Sequence, residues 1–213
     1  MRLRKIKDAK TKLLDFKNLV IFNPSDYKDK WHEIFKNQNP IYLEIGMGKG
    51  KFLSTQAALN PEINFIGLEL VDSVVLKAAR KINSLNLPNI KLINYDASKL
   101  NEIFKEKSIS KIFLNFSDPW PKNRHEKRRL TSDSFINLYK TILTDQGMIE
   151  FKTDNRKFFE YSLMKFNEHN FKFLEINLNL HEENSDNIIT TEYEDKFKLE
   201  NKTIYYVKVR LWT

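Results

Sequence analysis

The chain has 213 residues, with 36 lysines and arginines against 28 aspartates and glutamates, a net charge of +8, five glycines and no cysteine. That length suits one domain, or one domain with a short extension, and excludes a peptide-sized scaffold. The lack of cysteine excludes a disulfide framework, a thiol nucleophile and a Cys-ligated zinc. No apolar run found exceeds four residues, as in Leu19 to Phe22, and charges occupy the N-terminus where a signal peptide would be apolar. A soluble, cytoplasmic protein is expected.

In chain order, residues 1–17 carry seven Lys/Arg and two Asp, a charge of +5. Residues 26–38 read as a helix with Tyr27, Trp31, Ile34 and Phe35 on one side. Together, residues 1–40 are expected to form a basic N-terminal extension and helix, and residues 41–213 the main domain. From residue 41 onward, short apolar runs alternate with helical stretches. Ile41–Ile45, Ile63–Leu70, Ile90–Tyr95, Ile112–Phe116 and Met148–Phe151 read as strands, while Val71–Leu85, Ser132–Ile142 and 154–169 read as helices. This βαβ rhythm predicts an α/β fold with a parallel sheet covered on both faces. Phe171–Leu178 and Thr203–Leu211 lack a helical pattern between them, so they are expected to close the sheet edge as an antiparallel hairpin. The intervening segment, about 180–200, is long enough to carry function.

Three of the five glycines, Gly46, Gly48 and Gly50, follow the first strand of this series and precede a helix. Glycine at such a turn admits positive φ and lets a ligand approach the backbone. The dinucleotide fingerprint G-x-G-x-x-G would need a third glycine at position 51, which is Lys51, so that match fails. Five strands in succession carry an acid in or just after their carboxyl end: Glu44, Glu69, Asp96, Asp118 and Asp154. Such a rim repels a pyrophosphate and suits a ligand with ribose hydroxyls, an ammonium and a sulfonium, namely S-adenosylmethionine. Glu69 is placed to take ribose hydroxyls, Asp96 the adenine amino group, and Glu44 the turn or the methionine end. Carboxylates after strands also cap helices, which would account for one or two of the five.

The fourth strand of the series runs into Ser117-Asp118-Pro119-Trp120-Pro121. Each proline restricts itself and its predecessor, so Asp118 and Trp120 are held stiffly. A short carboxylate and aromatic motif at this place suits methylation of a planar nitrogen. Residues 120–130 then add Lys122, Arg124, Lys127, Arg128 and Arg129 against Glu126, a charge of +4 around Trp120, which points to a polyanion such as nucleic acid. His32, His125, His169 and His181 lie more than ten residues apart, so no metal site is expected. His125 reads as RNA-facing or structural, and Trp31 and Trp212 as core or interface aromatics.

The segments Glu44 to Gly50, Asn115 to Leu130, Lys152 to Asn155 and Thr191 to Phe197 (Thr-Glu-Tyr-Glu-Asp-Lys-Phe) resemble, in this order, the bacterial tRNA (guanine-N7-)-methyltransferase family. Ser117 departs from the proline that many members carry. The resemblance implies a Rossmann-like class I methyltransferase, with a mostly parallel seven-stranded sheet. It also implies methyl transfer from S-adenosylmethionine to guanine N7 in the tRNA variable loop. By the same carry-over, Glu44, Gly46, Gly48, Gly50, Glu69, Asp96 and Asp118 bind the cofactor, and Asp118 is the catalytic residue. Lys122, Asn123, Arg124, His125, Lys127, Arg128, Arg129, Asp154, Thr191, Glu192, Tyr193 and Glu194 bind the substrate.

Guanine N7 offers a lone pair and carries no proton, so the chemistry expects Asp118 to act by position and charge instead of proton removal. The adjacent N1–H and N2 donors of guanine match a carboxylate. Asp154 and Glu194 are the expected readers, with Thr191 fixing their loop, since an acidic segment holding Glu182, Glu183, Asp186, Glu192, Glu194 and Asp195 repels an RNA backbone. Two alternatives stand at this point: methylation of an exocyclic amino group, and a tRNA-binding module without turnover. Monomer and homodimer are both open.

Overall fold

A computed structural model describes residues 5–183, 188–199 and 202–212. Eight strands alternate with helices: α1 (Ala9–Lys12), β1 (Val20–Ile21), α2 (Trp31–Phe35), β2 (Ile41–Ile45), α3 (Lys51–Leu59), β3 (Asn64–Glu69), α4 (Asp72–Asn83), β4 (Ile90–Asn94), α5 (Leu100–Ile103), β5 (Ile109–Asn115), α6 (Asp133–Ile142), β6 (Leu143–Thr153), α7 (Arg156–Glu168), β7 (Phe171–Asn177), α8 (Leu180–Glu183), α9 (Glu192–Leu199) and β8 (Tyr205–Leu211). They form one sheet in the order β1-β4-β3-β2-β5-β6-β8-β7. Pairing is parallel from β1 to β6, and antiparallel for β6 with β8 and β8 with β7. The expected C-terminal hairpin is therefore present, with β7 at the edge.

Successive strand residues feed opposite cores. Ile66, Ile93, Ile112 and Leu114 join Trp31, Phe151, Phe158 and Phe166 on one face. Phe65, Leu92 and Phe113 join Phe52, Leu53, Val75 and Ile82 on the other. A sheet buried on both faces needs apolar residues at consecutive positions, and that is why these strands read as continuous runs and not as alternations. Each buried Phe or Leu contributes about 2 kcal/mol to the fold.

Two expectations need correction. The sheet has eight strands, not seven: Val20 and Ile21 add a parallel edge strand against Leu92 and Ile93. The helix expected over 26–38 is broken into a 3₁₀ turn, Pro24–Tyr27, and α2. Lys36 ends α2 in the left-handed region at φ 56°, and Trp31 at the start of α2 turns inward to donate its indole N–H to the Ile103 carbonyl at 2.8 Å. With Ala9 and Leu13 in one core and Trp31 and Phe35 in the other, residues 5–40 are built into the body of the sheet.

Strand order reverses at β2, which lies between β3 and β5. Ligands of open α/β sheets bind outside the carboxyl ends of strands at such a switch point.

Candidate active site

The turn after β2 is tied to its neighbour, since the amides of Gly46 and Met47 both donate to the Leu68 carbonyl, at 2.8 and 3.1 Å. Gly46, Gly48 and Gly50 all have positive φ, at 78°, 57° and 76°. Gly50 is also closely packed: a Cβ there would lie 2.6 Å from Ile82 Cδ1, so a side chain would have to displace the Ile82 tip as well as hold a φ of 76°. At Gly46 and Gly48 a Cβ would meet nothing within 4 Å, so this turn presents bare backbone to open space.

Beneath the turn, Glu44 is 1% exposed. Asn115, at the end of β5, donates to its Oε1 at 2.9 Å and so bridges the switch point. Burial pushes the Glu44 carboxyl up to about 8; the Asn115 bond and the Lys152 charge pull it down, and Glu192 and Glu69 push it further up. Glu44 Oε2, Asn115 Oδ1 and Ser117 Oγ are buried and have no hydrogen-bond partner among the described residues. Buried polar atoms without partners are costly, so three of them together fit a polar ligand that would complete them. An ammonium or sulfonium fits best, because it would also stabilise the ionised form of Glu44.

The remaining acids of the rim differ from one another. Burial raises the pKa of Glu69, opposed by backbone amides of Val71, Gly48 and Leu70, with Val71 donating at 3.1 Å. Asp96 is exposed, and its Oδ1 accepts from the Ser98 amide at 2.8 Å, capping the next turn. Asp118 and Asp154 are exposed at the ends of β5 and β6. Asp118 stands between Phe116 at φ 51° and Trp120 at φ 41°, both side-chain-bearing residues in the left-handed region.

The acidic segment docks onto the body of the protein. Thr191 and Glu194 form a reciprocal cap at the start of α9: the Thr191 amide donates to Glu194 Oε2 at 3.2 Å, and the Glu194 amide donates to Thr191 Oγ1 at 3.0 Å. Glu194 is 0% exposed and pairs through Oε1 with His181 at 2.9 Å and Lys152 at 3.5 Å. Burial lowers the Lys152 pKa, and Glu194 and Glu150 oppose that. Glu192 pairs with Lys81 at 2.9 Å, and Asp195 pairs with Lys51. Lys152 Nζ also donates to the Ile189 carbonyl at 3.2 Å, and the Tyr193 ring lies 5.9 Å from Phe116. The acidic segment, expected to meet a base edge, is thus a strap in which Glu194, Asp195 and Glu192 pair with Lys152 of β6, Lys51 of α3 and Lys81 of α4. Asp186 lies outside the described residues, as do residues 1–4 of the basic N-terminal run.

In the basic loop, Lys122, Asn123, Arg124, Lys127 and Arg128 are exposed, and His125 and Arg129 are half-buried. The Arg128 guanidinium lies over the Trp120 ring at 4.9 Å, and His125 meets the same ring edge-on at 5.6 Å. Arg129 turns inward instead, donating to the carbonyls of Pro119 at 3.0 Å and Trp120 at 3.2 Å. Among the described residues no group of His, Cys, Asp and Glu side chains is arranged to hold a metal ion, and no helix is long and apolar enough to cross a membrane. A cavity of about 230 Å³ opens at the other end of the sheet, beside Trp31, His32 and Asn64.

Sequence reasoning missed Asn115, Ser117, Lys51, Lys81, Lys152 and His181. Asn115 and Lys152 had a signal: each is a polar residue within an apolar strand, at the carboxyl end where the site lies.

A family model described as "Putative methyltransferase" matches residues 38–207. The tRNA (guanine-N(7)-)-methyltransferase of Alkaliphilus oremlandii is 49% identical over 211 residues, covering 99% of this chain and 100% of that protein. The enzyme of the same name from Geobacillus is 47% identical over 210 residues, covering 99% and 96%. A solved structure, a SAM-dependent methyltransferase from Aquifex aeolicus, matches with a TM-score of 0.58 at 14% identity, over 97% of this chain and all of that one, and so shares the Rossmann-like fold.

Proposed function

The chain belongs to the tRNA (guanine-N(7)-)-methyltransferase family, and we propose that it methylates guanine N7 in the variable loop of tRNA, using S-adenosylmethionine. The observation that carries this reading is the buried Glu44–Asn115 pair at the switch point, with its unpartnered oxygens under the glycine turn. S-adenosylmethionine supplies an electrophilic methyl group on a sulfonium.

The chain's own residues have distinct parts. Gly46 and Gly48 leave the backbone bare to the ligand, and Glu44, Asn115 and Ser117 offer acceptors to its cationic end. Glu69, oriented by the backbone amides around it, and exposed Asp96 take the ribose hydroxyls and adenine amino group. Asp118, held between two left-handed residues, favours the positive charge that the purine gains as N7 attacks; N7 has no proton to lose, so no general base is required.

Asp154, exposed at the end of β6, reads the guanine N1–H and N2 edge. Glu194 was the other expected reader, but its carboxylate is buried and committed to Thr191, Lys152 and His181. Its part is therefore to seat the strap, together with Thr191, while Glu192 and Tyr193 remain on the accessible side. Lys122, Asn123, Arg124, His125, Lys127 and Arg128 line the RNA-facing side, where charge-assisted contacts fix the position of the phosphates. The reading places the enzyme in the cytoplasm, with tRNA as its partner.

The test is incubation with labelled S-adenosylmethionine and unmodified tRNA, followed by mapping of the methylated nucleotide. N7-methylguanosine is expected, and unlike a base methylated on an exocyclic amine it becomes cleavable by aniline after reduction. A methylated exocyclic amine would overturn the reading.

A further inference from the structure

We propose that Arg129 is a positioning residue for methyl transfer: it fixes the Asp118–Trp120 loop from within the protein and does not grip RNA. The inference rests on the reading of Asp118 as the residue at the reacting base.

The loop cannot hold itself. Pro119 and Pro121 have no N–H, and Phe116 and Trp120 sit at φ 51° and 41°, conformations that side-chain-bearing residues keep only when their surroundings impose them. Phe116 is held by its own amide, which donates to the Lys152 carbonyl at 2.9 Å, and at Trp120 the imposing contact is Arg129. The planar guanidinium of Arg129 donates from Nε to the Pro119 carbonyl at 3.0 Å and from Nη2 to the Trp120 carbonyl at 3.2 Å. Its face rests on the Tyr161 ring at 4.3 Å, so α7 backs it. Arg129 is itself anchored by its backbone: its amide donates to the Glu126 carbonyl at 2.9 Å, and its carbonyl accepts from Ser132 at 3.0 Å.

Charge alone does not explain this arrangement. Arg124, Lys127 and Arg128 carry the same charge on the same loop and are exposed, whereas Arg129 is half-buried with its fork spent on two consecutive carbonyls. A lysine can replace a phosphate contact, but it cannot reproduce a two-carbonyl fork stacked on an aromatic ring.

The experiment compares the full-length wild type with Arg129→Lys in four measurements: turnover on unmodified tRNA, tRNA affinity across a salt series, S-adenosylmethionine affinity by calorimetry, and iodide quenching of Trp120 in a Trp212→Phe background. Trp31 is buried and shielded from iodide. Expected for Arg129→Lys is a kcat lower by about tenfold to a hundredfold, the size of effect that a misplaced reacting group produces. Affinities for tRNA and cofactor, and the salt slope, should stay within about twofold of wild type, with Trp120 more readily quenched. Weakened tRNA binding with kcat retained would overturn the proposal and make Arg129 a phosphate contact. If Arg129→Lys does not fold, Tyr161→Leu removes the backing of the guanidinium and keeps its charge; the same kcat-specific loss is expected, and an unchanged kcat would overturn the proposal. Wild-type turnover in the same assay keeps the two readings apart. A wild type that makes no N7-methylguanosine fails the functional reading, whereas an active wild type matched by its variant fails only Arg129.

Discussion

Replacing Glu44 with Gln should make the protein without cofactor more stable and the cofactor bind less tightly. Glu44 is 1% exposed and its carboxyl is pushed by burial from 4.5 to about 8. At pH 7 the unfolded chain carries this group ionised while the fold holds it neutral, and each unit of that difference is worth about 1.4 kcal/mol. The penalty is therefore absent below about pH 4.5, grows by about 1.4 kcal/mol per unit, reaches about 3 kcal/mol at pH 7 and levels off above about pH 8. Gln carries no such penalty, and its carbonyl can keep the Asn115 contact. Urea unfolding of both proteins from pH 5 to 8, without cofactor, should show the variant gaining on the wild type as pH rises. A stability difference that does not change with pH would refute the assignment of a neutral Glu44. Calorimetry adds the functional side: wild-type affinity for S-adenosylmethionine should improve as pH rises toward 8, because the cation selects the ionised carboxylate, and in Glu44→Gln that dependence should vanish.

Asp118→Asn should lower kcat by about 10²- to 10³-fold, the cost of removing one preorganised electrostatic contact to developing charge, with cofactor affinity little changed in calorimetry. Neutralising Arg124 and Arg128 should reduce the slope of log affinity for tRNA against log salt by about one for each phosphate no longer gripped; an unchanged slope would place the RNA elsewhere. Glu194→Ala removes the ion-pair partner of buried Lys152, and urea unfolding should show destabilisation by about 3 kcal/mol; a change below about 0.5 kcal/mol would show that the strap is not coupled to the body.

The sheet was legible because both its faces are buried. Phe65 and Ile66, or Leu92 and Ile93, serve opposite cores, so the strands read as short apolar runs with helical stretches between them. The glycine turn was legible because its cause is local, positive φ and a close approach at Gly50. Two-residue β1 left no pattern long enough to read, which is why one strand was not expected. The strap was illegible for a different reason. Its partners lie far off in sequence, Lys51 with Asp195 and Lys81 with Glu192, and an ion pair between distant residues imposes no periodicity on either. For the same reason, Glu194 in a run of acids gave no sign of its burial. Lys51 shows both sides: its identity excluded a dinucleotide turn, but only the fold shows it holding Asp195 and Thr190. Arg129 among its basic neighbours looked like one more phosphate contact, and only the positions of two carbonyls set it apart.

The most direct test of the account is the site of methylation. With unmodified tRNA and labelled S-adenosylmethionine, the label should appear as N7-methylguanosine in the variable loop, and Asp118→Asn should abolish most of it while still binding cofactor. Label on an exocyclic amine, on another region of the tRNA, or undiminished in Asp118→Asn would contradict the account.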